Sequence, residues 1–178
     1  NSTGACPMSE LALHNRHRGV VVDRRRFRRW LLEVLADPVF FGPAAAPARW
    51  LDFELAFFLV TDPVMGRLNE RHLGHAGSTD VITFDYGRPP GAGAGTAWLR
   101  GDLFVCPDEA RRQARRFRAD WPAEIARCVI HGLLHLAGHD DLEPAARRAM
   151  KQVENRLVRC HAACFPLSRR KVDSKLPP

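Results

Sequence analysis

At 178 residues, 46% hydrophobic and 26% charged, the chain is too apolar to be wholly disordered and too short to make two domains the natural reading. Its 27 Lys and Arg against 20 Asp and Glu leave a net charge of +7. That charge fits a polyanionic partner such as RNA, but a composition biased to Arg, Ala, Gly and Pro gives a basic chain without any such partner. No window approaches the roughly 20 apolar residues of a membrane span, and five cysteines without a CxxC pair read as thiols of a reducing, cytoplasmic compartment. There is no basic stretch followed by an apolar one near the start, and the chain begins at Asn1 as a trimmed or partial N-terminus would.

Residues 1–10 are small and polar and predict a loose N-terminus, followed by one domain over 11–163 and a basic disordered tail over 164–178. Leu11 to Asn15 alternates like a short strand, and Asp23 then caps an amphipathic helix with Phe27, Leu31, Val34 and Leu35 inside and Arg24, Arg25, Arg28 and Arg29 outside. Three prolines make 37–49 a loop. Apolar residues at 51, 53, 55, 57 and 59 alternate with Asp52 and Glu54, the period of a strand with one buried face. Pro63 sets the first turn of a helix that runs to about His72, before Gly74.

Residues 78–86 (STDVITFDY) read as a central strand with Thr79 and Asp80 at its entrance. A Gly- and Pro-rich tip over 87–97 should return it antiparallel into a strand over 98–106. Pro107 and Asp108 open a helix with Ala110, Ala114 and Phe117 inside and five arginines (111, 112, 115, 116, 118) outside. That face is either simply solvated or a footprint for phosphates. Pro122 and Glu124 start the next helix, and Pro144 the last, with Met150, Val153, Leu157 and Cys160 or His161 inward. These elements make an α+β single domain: a mixed four-stranded sheet with about five helices.

The chemistry centres on residues 131–141, HGLLHLAGHDD. His131 and His135 are one helical turn apart, so their imidazoles leave the helix on one face and can grip a metal ion from two points. Gly138 then lets the chain turn back, bringing Asp141, His139 or Asp140 toward the same point as a third ligand. Asp141 lies at the spacing of the third ligand in the longer zinc-protease pattern, whereas His139 offers the better zinc donor. Gly132 occupies the place where HExxH enzymes carry their general-base Glu, which argues against a peptidase and leaves the base unassigned. Asp102 and Asp80 are the available carboxylates; capping or turn formation is their ordinary use.

Three blocks, HGLLHLAGHDD (131–141), LNERHLGHAGSTDVITF (68–84) and GDLFVC (101–106), together resemble in order and spacing the signature blocks of the YbeY family. The resemblance covers roughly residues 10–161. It implies a metal-dependent endoribonuclease of ribosome maturation and quality control, with one bound Zn²⁺ per chain and single-stranded RNA as substrate, in particular the 3′ end of small-subunit ribosomal RNA. Ribosomal proteins are possible further partners, and the oligomeric state is left open. The implied ligands are His131, His135 and Asp141, with Asp141 where the family usually has a His; Asp102 and His75 join the two histidines as catalytic candidates. Leu73 stands where the family commonly has an Arg, removing a cation expected near the scissile phosphate unless His72, His75 or a neighbouring Arg substitutes. A non-catalytic, metal-stabilised assembly factor that binds RNA is the alternative.

Overall fold

The apolar alternation over 51–59 builds the strand from which the rest of the fold can be laid out. A computed structural model describes residues 9–41, 50–92 and 96–168. In it β3 (Trp50–Leu59) runs parallel to β1 (Ser9–Asn15) on one side and to β5 (Thr96–Val105) on the other. The hairpin partner β4 (Val81–Asp85) pairs antiparallel with β5, giving a mixed sheet in the order β1-β3-β5-β4. Because successive strand residues point to opposite faces, Phe53, Leu55, Phe57 and Leu59 all go to one side and are buried there.

That side carries the main core. Helix α1 (Arg24–Leu35) starts at Asp23, whose carboxylate accepts from the Arg26 N–H, and buries Phe27, Trp30, Leu31 and Val34; Phe27 meets Phe57 edge-on at 5.0 Å. Helix α4 (Trp121–Leu136) lies across β4 and β5. The contact needs two glycines: a Cβ on Gly132 would stand 2.7 Å from Leu103 and 2.8 Å from Thr83 Oγ1, and one on Gly101 would stand 2.3 Å from the Phe84 carbonyl and 2.8 Å from Leu136. Helix α5 (Pro144–His161) packs against α4 through Met150, Glu154 and Leu157.

The opposite face is covered at one end by α2 (Asp62–Leu73), where Met65 packs with Val60, Ile82, Cys106 and the stacked rings of Phe58 and Phe104. Gly74 ends α2 in the left-handed conformation (φ 70°), as its position in the sequence led us to expect. Helix α3 (Pro107–Phe117) connects β5 to α4.

Three expectations are corrected. The ordered chain continues past 164: Ala162–Cys164 form a 3-10 turn, Phe165 and Pro166 are buried, and Leu167–Ser168 (β6) pair antiparallel with Val21–Val22 (β2). The rest of the expected tail, 169–178, and all but Ser9 and Glu10 of the expected loose N-terminus lie outside the described residues. On α5 Met150 and Leu157 are buried as expected, but Glu154 joins them while Val153 is only half-buried, and of Cys160 and His161 the first is exposed and the second half-buried. On α3, Ala110 and Ala114 are buried as expected, but Phe117 is 66% exposed: it is the last helical residue, Arg118 turns left-handed beside it (φ 53°), and the inner stripe runs out before reaching it. Among the described residues no helix is long and apolar enough to cross a membrane.

Candidate metal centre

Helix α4 carries His131 and His135 one turn apart, and His131 lines a cavity of about 780 Å³ between α3, α4 and α5. Each ring is held by its Nδ1. The Nδ1 of His131 lies 3.0 Å from Glu154 Oε2, and that of His135 lies 3.2 Å from the main-chain carbonyl of His139. A carboxylate and a carbonyl can only accept, so in the neutral rings both Nδ1 atoms carry the proton and both Nε2 atoms present lone pairs. Those two Nε2 atoms face each other at 3.2 Å. Two lone pairs cannot bond each other; a cation between them suits the arrangement. The spacing is also close to the edge of about 3.3 Å that a tetrahedron with Zn–N bonds of about 2.0–2.1 Å requires.

The turn after α4 supplies the third point. Gly138 is left-handed (φ 87°), the N–H of His139 returns to the Leu134 carbonyl at 3.0 Å, and the chain reverses over the last helical turn. The three residues that compete for the ligand role then diverge. His139 turns its Nε2 to the Phe40 carbonyl at 2.9 Å. Asp140 accepts from the Leu142 N–H at 3.0 Å. Asp141 brings Oδ1 to 4.0 Å from His135 Nε2, while its own carbonyl is fixed by Arg147 at 2.8 Å. One ligand atom from each of His131, His135 and Asp141 lies within 4.8 Å of the others.

Glu154, which sequence reasoning passed over, is the buried anchor of the group. It is 3% exposed, and its Oε1 accepts from Arg127 and from Lys151 at 2.6 Å each. Burial alone would raise its pKa, but donation from His131, Lys151 and Arg127 brings it down to about 2. Its hydrogen bond raises the pKa of His131 against the opposing effect of burial. The pKa of His135 goes the other way, lowered first by burial and then by the nearby His131.

Asp80 faces the same cavity from the entrance of β4. Its Oδ1 accepts from the Val81 N–H at 2.9 Å and from Thr79 Oγ1 at 3.1 Å, and its Oδ2 from Gln113 at 3.3 Å. The loop before it is tied down by Asn69, a buried residue whose amide donates to the Gly77 carbonyl at 2.9 Å. Asp102, expected as a catalytic carboxylate, is not in this group. Gly101 and Leu103 touch α4, so the residue between them points through the opposite face of the sheet, where Asp102 accepts from the Tyr86 hydroxyl at 2.9 Å. His75 is exposed on the loop after α2 and does not line the cavity. Leu73 is 52% exposed. The arginine face of α3 is partly committed within the fold: Arg112 pairs with Glu109 and Asp62, and the guanidinium of Arg111 lies 4.3 Å over the Trp121 ring.

A family model described as Endoribonuclease YbeY matches residues 13–161. The chain belongs to the YbeY family. A YbeY from Anaeromyxobacter dehalogenans is 42% identical over 108 residues, covering 61% of this chain and 54% of the relative. A Corynebacterium efficiens YbeY is 36% identical over 114 residues, covering 60% of this chain and 56% of the relative. The match thus spans little more than half the length of these YbeY relatives. The solution structure of TM1509 from Thermotoga maritima superposes with a TM-score of 0.53 at 24% identity, over 84% of this chain and 87% of that one, a likeness of fold. The YbeY membership expected from the three sequence blocks is borne out, as is the α+β fold with a mixed four-stranded sheet and five helices.

Proposed function

We propose that this chain is a metal-dependent endoribonuclease that hydrolyses single-stranded RNA, acting in the cytoplasm on the 3′ end of small-subunit ribosomal RNA and in ribosome quality control. The observation that carries the reading is the convergence of two Nε2 atoms and the Asp141 carboxylate on one point, beside a cavity lined by His131 and Asp141 together with Arg127, Arg147 and Lys151. The family match supports the reaction class.

His131, His135 and Asp141 would hold the ion, with zinc first among the candidates for a set of two imidazoles and one carboxylate. When bound, such an ion would supply a Lewis acid for a phosphoryl oxygen and would lower the pKa of a water molecule to about 7. Glu154 keeps the His131 ring in the tautomer that points Nε2 at the site, and the His139 carbonyl does the same for His135. Asp80, oriented by Val81, Thr79 and Gln113, takes the role of proton acceptor for the attacking water, the position that Gly132 cannot fill. Arg147 and its cationic neighbours draw the phosphate backbone to the cavity.

The test is direct. Metal-loaded protein should contain one zinc per chain and cut single-stranded RNA, and a chelator should stop the cutting. His131→Ala should lose bound metal and cleavage together. Cleavage retained by the metal-free variant would refute the mechanism, and RNA binding without any chelator-sensitive cut would favour the non-catalytic assembly factor.

A further inference from the structure

Phe117 is a large ring left in water. It is 66% exposed at the end of α3, and it lines the same cavity as His131 and Asp80. The core does not need it there, since Ala110 and Ala114 already complete the buried stripe of that helix. The guanidinium carbon of Arg116 stands 5.4 Å from its ring centroid. Two amide side chains, Gln113 and Asn155, border the same space, and Arg127 and Lys151 stand on the α4 and α5 walls. An exposed aromatic face, adjacent guanidinium charge and neighbouring amides are together the chemistry by which proteins hold an unstacked nucleobase and the phosphate next to it.

We propose that Phe117 is the stacking platform for one unpaired base of the RNA, next to the phosphodiester presented at the metal centre. This rests on the RNA-cleaving reading above and adds to it a cause of single-strand selectivity. A base in a duplex has both faces covered by its neighbours and cannot lie on the ring without leaving the stack. The base would take the ring face that Arg116 leaves free, and the flanking phosphate would meet Arg116, whose guanidinium lies over the other face.

The measurement is fluorescence anisotropy of a labelled hexaadenylate RNA with the full chain, in the presence of chelator so that the probe is not consumed. Phe117→Ala should weaken binding about 5- to 150-fold, the range of one lost base–aromatic stack, and Phe117→Trp should bind at least as tightly as the natural chain. Inorganic polyphosphate, which has charge but no bases, should compete equally well for the natural chain and for Phe117→Ala. Unchanged hexaadenylate affinity in Phe117→Ala, or an equal loss of polyphosphate binding, would overturn the platform alone. Failure of the natural chain to bind hexaadenylate would overturn both the platform and the RNA reading.

Discussion

The two histidines of the metal grip sit one turn apart on the same helix, yet they are held by different parts of the molecule. His135 is oriented locally, by the carbonyl of a residue four positions further along the same turn. His131 is oriented by Glu154, 23 residues away on another helix, a buried carboxylate that also accepts from Arg127 and Lys151. One half of the site forms whenever α4 ends as it does. The other half forms only when α5 docks, so metal affinity at His131 is coupled to tertiary packing in a way that affinity at His135 is not.

The sharpest way to break this asymmetry is Glu154→Ala. It should weaken metal binding about 10- to 100-fold, the usual cost of removing a carboxylate behind a metal-binding imidazole, and should lower thermal stability by leaving Arg127 and Lys151 without their shared partner. Glu154→Gln should recover part of the metal affinity, because the amide oxygen still accepts the Nδ1 proton; titration of each variant with zinc against a competing chelator reads both. A smaller effect is expected for Gly132→Ala. Overpacking against Leu103 and Thr83 costs about 1–3 kcal/mol, while replacing a helical glycine returns about 1 kcal/mol. The net should be a loss of about 1 kcal/mol, or about 2–4 °C in Tm for a domain of this size, measurable by calorimetry. The smallest effect on the metal belongs to His139→Ala. Among the described residues its imidazole holds only the Phe40 carbonyl, worth about 0.5–1.5 kcal/mol of stability, and its main chain, which orients His135, is unchanged; zinc affinity should stay within about twofold. A large loss of zinc in this variant would mean that the two halves of the grip are not independent.

Much of the fold could be read directly. Asp23, Pro63, Pro107 and Pro144 each mark a helix start that the structure contains, and the alternation over 51–59 marks both the strand and its buried face. The histidine pair was legible because its spacing is set by the pitch of one helix. What escaped depends on contacts between elements. Glu154 stands four residues after Met150 and three before Leu157, a helical spacing that does put it inward, but an acid in an apolar stripe has no meaning until its partners on α4 are known. Asp102 was misplaced despite a usable signal: Leu99, Leu103 and Val105 share one face of β5, and an even-numbered position must face away from them. The choice among Asp141, His139 and Asp140 rests on the exact path of the turn after Gly138, and three adjacent ligand-capable residues carry no periodicity to separate them.

Gly132 also has a bearing on which reactions this scaffold can be made to perform. In a zinc peptidase of the HExxH kind the residue after the first histidine projects a carboxylate toward the metal-side water. Here the corresponding backbone lies directly on the sheet, with a methyl of Leu103, the hydroxyl of Thr83 and a methyl of Val81 where the first side-chain carbon would go. The first side-chain carbon already overpacks this contact, and the longer side chain of Gly132→Glu would add to it, so volume opposes the change before chemistry is considered. Turning this helix into a protease helix would require lifting α4 off β4 and β5, and undoing the very packing that sets the two imidazoles in place.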